Sequence, residues 1–174
     1  GTQKHLAVHV VADPAEVPGI AALGPDPLAD TFTREDFAAV LARAGRAQVK
    51  GVLRDQRAFA GIGNAWSDEI LFAARLSPYA PCSSLTSEQV GRLYAATRSG
   101  LGAAVERARG LRPSELKDDK RQHLRVHGRR GEPCDVCGTP IGEVSFADSS
   151  LNYCPGCQTG GKVLADRRMS RLLK

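Results

Sequence analysis

Four cysteines stand in two C-x-x-C pairs, Cys134-Asp-Val-Cys137 and Cys154-Pro-Gly-Cys157. Two thiolates two residues apart reach one metal ion from a single tight turn, and a second pair completes a tetrahedron of sulfurs around Zn2+. With sulfur at all four positions no place is left for a catalytic water, so the expected role is structural: one zinc ion that holds a small module folded. The competing reading is a pair of disulfides, which needs an oxidising compartment. The chain opens Gly-Thr-Gln-Lys-His, without the basic-then-apolar pattern of a signal peptide. Cys82, after Pro81, lies outside this spacing and reads as an ordinary thiol, and His5, His9, His123 and His127 are not spaced as ligands to one another.

A second chemical feature is Gly61-Ile-Gly63-Asn64, between two helical patterns. Unpaired N–H groups at a helix start favour a phosphate, and glycines let it come close to the chain. Asn64 can cap the helix or donate its amide to a phosphate oxygen, and Lys50 supplies a charge on the same side. Taken alone the short pattern is weak and reads more readily as a tight interhelical turn; it is not a dinucleotide fingerprint, since no strand precedes it and the third glycine is absent.

The formal charge is +5 and the pI about 9.1. The charge is uneven: Lys4 faces Asp13, Glu16, Asp26 and Asp30 in the first thirty residues, whereas Lys162, Arg167, Arg168, Arg171 and Lys174 face only Asp166 at the other end. Clustered positive charge points to a polyanion, with a solvated, partly disordered end as the alternative for the tail itself. Aromatics make up 5% of the chain, which disfavours a stacking platform for single strands and leaves duplex backbone as the expected partner. No apolar run reaches bilayer length, so a soluble protein is expected.

The elements that must position these groups follow from periodicity. Residues 5–12 predict one β-strand, and the prolines and glycines from Asp13 to Asp30 predict a linker. Thr33 caps a helix to about Ala44 carrying Phe37, Val40 and Leu41; residues 48–56 predict a shorter helix, and Ala65–Ala74 an apolar one. Thr86-Ser-Glu-Gln89 is a capping box for a long helix to about Arg109. A basic connection, 111–131, leads to the cysteine pairs, and Thr139–Tyr153 between them predicts a hairpin turning near Asp148-Ser149-Ser150. The expected divisions are a terminal strand and linker (1–30), a helical domain (31–110), a basic linker (111–131), a zinc ribbon (132–160) and a basic tail (161–174). Asp68 and Glu69, adjacent on a helix, point to different faces, and Trp66 reads as core or a domain contact.

Three stretches, Ala60-Gly-Ile-Gly-Asn-Ala-Trp-Ser-Asp-Glu-Ile-Leu-Phe72, His127-Gly-Arg-Arg-Gly-Glu-Pro-Cys-Asp-Val-Cys-Gly-Thr-Pro140 and Tyr153-Cys-Pro-Gly-Cys-Gln158, resemble in order the C-terminal half of the formamidopyrimidine-DNA glycosylase and endonuclease VIII family, and Leu23-Gly-Pro-Asp-Pro-Leu28 resembles the approach to its helix-two-turns-helix domain. The resemblance covers about residues 23–158. It implies a mainly α fold, a helix-two-turns-helix domain followed by a small β-hairpin zinc ribbon, with one N-terminal strand left from a missing β-sandwich. It implies a base-excision-repair DNA glycosylase and AP lyase that grips damaged or abasic duplex DNA as a monomer, with Lys50, Asn64 and the amides around Gly63 on phosphates near the lesion. The family's nucleophile is an N-terminal proline beside a glutamate; here the chain starts Gly1-Thr2, so this chain alone is expected to be inactive. The alternative is a stand-alone, non-catalytic DNA-binding or scaffold protein. The family usually carries an arginine five residues before the third cysteine, where this chain has Ser149. A neutral hydroxyl replaces a charged fork there, so weaker binding is expected unless Arg129, Arg130 or the tail compensates.

Overall fold

The computed structural model describes residues 8–112, 114–146 and 149–164, with no side-chain account of 117, 119 and 120. Residues 8–11 form no strand, and Val8 and Val10 are 84% and 98% exposed. Among the described residues no strand pairs with this segment, and β-branched composition alone does not make a strand without a ladder for its backbone. Residues 5–7 of that expected strand lie outside the described residues. The proline-rich stretch departs from a plain linker too: Asp13 caps a 3-10 turn over Pro14–Glu16, and α1 follows at Pro18–Ala21, each opened by a proline at a position that needs no N–H.

The helical domain starts at α2 (Arg34–Ala44), where Thr33 and Asp36 form a reciprocal capping box and Gly45, at φ +56°, ends the helix. Next come α3 (Val49–Arg54) and α4 (Asn64–Ala73). The long α5 (Ser87–Ala108) opens on the Thr86–Gln89 capping box. Phe37 stacks on Phe59 at 4.7 Å between ring centroids, and Tyr94 meets Phe37 edge-on at 5.7 Å. Leu41, Val49, Leu53, Ile62, Leu71 and Leu93 close the core around them. Truncating such a buried ring costs about 3–5 kcal/mol. The basic connection contains a helix that charge alone does not announce, α6 (Leu116–Gln122).

The cysteine module holds the described strands, β1 (Gly142–Ser145) and β2 (Ser150–Tyr153), paired antiparallel with Val144 opposite Leu151. The Phe146 amide donates to the Ser149 carbonyl at 2.8 Å and closes the hairpin; Asp148, expected in its turn, lies outside the described residues. A short α7 (Pro155–Thr159) follows Cys154. Helix α4 serves both modules. Ile70 and Leu71 belong to the helical core, while Phe72 packs with Val126, Cys134, Ile141 and Cys154.

Candidate nucleic-acid interface

The glycine turn opens α4, but Gly63, and not Asn64, is the N-cap residue, and no side chain caps the helix. The first-turn N–H groups of α4 are therefore without a side-chain cap. A Cβ at Gly63 would meet nothing within 4 Å, so the space before the turn is open. Gly61 sits at φ +83°, a backbone region that favours glycine. Asn64, the first helical residue, is partly buried and donates Nδ2 to the Ser150 carbonyl at 2.8 Å. That bond ties the turn to the first residue of β2, and it leaves the second amide hydrogen for another acceptor.

Lys50 lies elsewhere than its charge alone suggests. It is 5% exposed, and its Nζ donates to Asp68 Oδ1 at 2.5 Å, to Ser67 Oγ at 2.9 Å and to the Asn64 carbonyl at 3.3 Å. Burial pulls its pKa below the ordinary lysine value, and Asp68 opposes that pull. The ammonium faces inward because Asp68, 1% exposed, needs a counter-charge. Asp68 Oδ2 also lies 2.7 Å from His127 Nδ1 and accepts from the Asn152 amide at 3.1 Å.

Glu69 is buried as well. Its carboxylate accepts three main-chain amides in a row, Arg125 at 2.9 Å, Val126 at 2.9 Å and His127 at 2.8 Å. Asp68 and Glu69 point to different faces yet meet at His127, Asp68 through its ring and Glu69 through its backbone amide, while Asp68 also holds Lys50 and Asn152. Sequence reasoning considered this pair and His127 but gave them no role, and it did not single out Asn152 or Gln158. The available signal was two carboxylates inside an apolar helix, which must find donors once that helix is buried.

The four Sγ atoms of Cys134, Cys137, Cys154 and Cys157 all lie within 4.8 Å of one another. Cys134 and Cys157 are 3.9 Å apart, Cys137 and Cys154 3.4 Å. Zinc–sulfur bonds of about 2.3 Å set tetrahedral sulfurs about 3.8 Å apart, so the set fits one zinc ion. Amides already point at sulfur: Val136 N donates to Cys134 Sγ at 3.5 Å and Cys157 N to Cys154 Sγ at 3.4 Å. Bonds from Thr139 bring the exposed Cys137 thiol down to about 6, whereas burial and the neighbouring thiols push Cys157 up. Four sulfurs this close ionise together only around a cation. Gly156 is required by packing, since a Cβ there would lie 2.6 Å from Thr139 Oγ1 and 2.9 Å from Cys137 Sγ. Gln158 fastens the knuckle to the helical domain, accepting from Cys154 N and donating to the Leu76 carbonyl, both at 2.8 Å. Cys82 is buried away from this set, and burial pushes its thiol up.

Of the arginines in the connection, Arg129 pairs with Glu132 at 2.7 Å and also donates to the Arg125 carbonyl. Arg130 is 74% exposed and reaches Glu143 at 3.5 Å. Ser149 sits partly buried at the end of the hairpin loop, one residue before the Ser150 carbonyl that Asn64 holds. Asn64 and the Ser149–Ser150 end of the hairpin are thus brought to one surface beside the glycine turn.

The structure thus latches a glycine-turn helical domain to a four-cysteine hairpin. The profile of the formamidopyrimidine-DNA glycosylase H2TH domain matches residues 23–114, and that of the zinc finger found in FPG and IleRS matches 131–160. A formamidopyrimidine-DNA glycosylase-like protein of Mycobacterium tuberculosis is 53% identical over 160 residues, covering 92% of this chain and 99% of that protein. The formamidopyrimidine-DNA glycosylase of Symbiobacterium thermophilum is 43% identical over 87% of this chain and 52% of its own length. The crystal structure of MutM (Fpg) from Thermus thermophilus superposes with a TM-score of 0.73 at 38% identity, over 84% of this chain and 57% of that one. A Lactococcus lactis Fpg bound to DNA containing an abasic site gives 0.72 at 26% identity, over 83% and 55%. The chain belongs to the formamidopyrimidine-DNA glycosylase family. It spans nearly all of the mycobacterial relative and about half the length of the others.

Proposed function

We propose that this chain is the DNA-gripping portion of a base-excision-repair glycosylase and AP lyase, holding duplex backbone beside a damaged or abasic nucleotide. The observation that carries the reading is the Asn64–Ser150 bond, which sets the uncapped glycine turn and the zinc hairpin on one surface. In this reading the amides around Gly63 and the free amide hydrogen of Asn64 take one phosphate. Ser149 donates a neutral hydrogen bond beside it, and Arg130, the more exposed of the two arginines, supplies charge, with Arg129 held back by Glu132. Lys50 acts through Asp68 and meets no phosphate directly. Such contacts position the protein without reading sequence. The protein works as a monomer inside the cell; among the described residues no helix is long and apolar enough to cross a membrane.

Binding to intact and abasic duplexes across a salt series tests the reading. Log K falls with log salt by about 0.9 for each phosphate neutralised; a flat response would exclude backbone grip. We expect the 174-residue chain, which matches about half the length of the glycosylases it resembles, to give no borohydride-trapped adduct with abasic DNA. A trapped adduct would place a nucleophile among these residues.

A second reading, a non-catalytic DNA-binding or scaffold protein, is favoured by one observation: the match to the mycobacterial relative spans 99% of that protein. The size of the endogenous protein separates the two. A product about twice this length, with Pro-Glu after its initiator methionine, supports the enzyme.

A further inference from the structure

Helix α4 and strand β2 are matched in pitch. Asn64 and Asp68 are four residues apart on one helix, a rise of about 6 Å. Ser150 and Asn152 are two apart on one strand, a rise of about 6.6 Å. The two pairs meet: Asn64 Nδ2 donates to the Ser150 carbonyl at 2.8 Å, and the Asn152 amide donates to Asp68 Oδ2 at 3.1 Å. Strand β1 takes one edge of β2, and side chains of α4 take the other, where main-chain groups otherwise lie unpaired. Asp68 is the firmer of the two latches, because Lys50 Nζ at 2.5 Å and His127 Nδ1 at 2.7 Å fix both of its oxygens.

We propose that Asp68 is a positioning residue for the DNA grip: by latching the outer edge of β2 it sets the register of the zinc hairpin against the glycine turn, so that phosphate contacts from the two modules keep one spacing. The proposal rests on the DNA-binding reading above. Asn64 couples the two roles, since the direction of its free amide hydrogen follows from its bond to Ser150. Once the Asn152 amide is released, the hairpin loses its register, and the contacts around Ser149 and Arg130 move off the phosphate path while the glycine turn still binds.

Asp68→Asn is the test. If its oxygen stays on Lys50, its new amide faces the Asn152 N–H, donor against donor, while the zinc site is untouched. Binding to an abasic duplex is measured across salt, with zinc content and helical signal recorded on the same sample. The expected result is affinity about tenfold lower and a log–log salt slope shallower by about one, with one zinc per chain and an unchanged helical signal. Lost stability alone lowers the active fraction at a constant slope, so weaker binding with the wild-type slope overturns the proposal. Unchanged affinity and slope overturn it as well. A flat wild-type salt response removes the DNA reading, and this proposal with it. Should Asp68→Asn fail to fold, the Lys50→Met/Asp68→Leu pair removes the latch together with both buried charges and is read in the same way.

Discussion

Lys50 and Asp68 form a 2.5 Å ion pair whose side chains are 7% and 0% exposed, across the interface between α3 and α4. Removing one partner strands the other charge. Lys50→Ala is therefore expected to cost about 3 kcal/mol in urea unfolding, and Lys50→Met/Asp68→Leu less than that, because no charge is then left buried. A single variant that unfolds at the wild-type midpoint would show that the pair is open to water.

Glu69 is the acceptor for three consecutive amides of the connection. Glu69→Ala leaves all three donors without an acceptor, at roughly 3 kcal/mol or more. Limited proteolysis gives a local readout, with faster cleavage near residues 123–127 before the helical core melts. Cleavage at the wild-type rate would contradict the assignment.

Zinc removal divides the molecule. Cysteine modules of this kind gain on the order of 10 kcal/mol from the metal, so chelation or Cys154→Ser is expected to melt the hairpin while α2–α5, with their own aromatic core, keep their helical signal. The Cys82→Ala chain keeps one zinc, because Cys82 stands outside the four-sulfur set. Zinc lost on Cys82→Ala, or retained on Cys154→Ser, would refute the ligand set.

The amide of Asn64 holds Ser150 and has one hydrogen left. Asn64→Ala is expected to weaken duplex binding about tenfold, a little over 1 kcal/mol, with the circular dichroism spectrum unchanged. Unchanged affinity would remove Asn64 from the interface.

The Thr33 cap holds the Asp36 carboxyl below the usual carboxylate range, first through the Thr33 backbone amide and then through its hydroxyl. A carboxylate depressed on folding stabilises above its unfolded value of about 3.9, and the contribution is lost as pH falls through the lower folded value. The stability gap between the wild type and Asp36→Asn is therefore expected to be present at pH 5 and above and to close in strong acid. A gap independent of pH would mean that the cap does not depend on the charge.

The helical elements and the metal ligands were legible because local rules place them. Capping boxes at Thr33 and Thr86 mark α2 and α5 to within a residue, and the C-x-x-C spacing selects its own four sulfurs. Lys50 was not legible in this way. A lysine near a glycine turn suggests a phosphate, and only packing reveals that Asp68 is buried behind it. The strand expected at residues 5–12 shows the converse, since β-branched residues state a preference that a missing neighbour leaves unmet in the described part. Helix α6 lay hidden in a stretch whose charge pattern reads as linker.

By itself the sequence determined the zinc ligands, the main helices and the motif order that marks the family, because each depends on neighbours within a few residues. Tertiary structure alone decided how the glycine turn meets the hairpin. That meeting depends on Asn64 finding Ser150 and Asp68 finding Asn152, more than eighty residues apart. It follows from a match of helical and strand rise, together with burial that brings the Asp68 carboxylate and the Asn64 Nδ2 group against donors and acceptors of β2, and neither is written in local spacing.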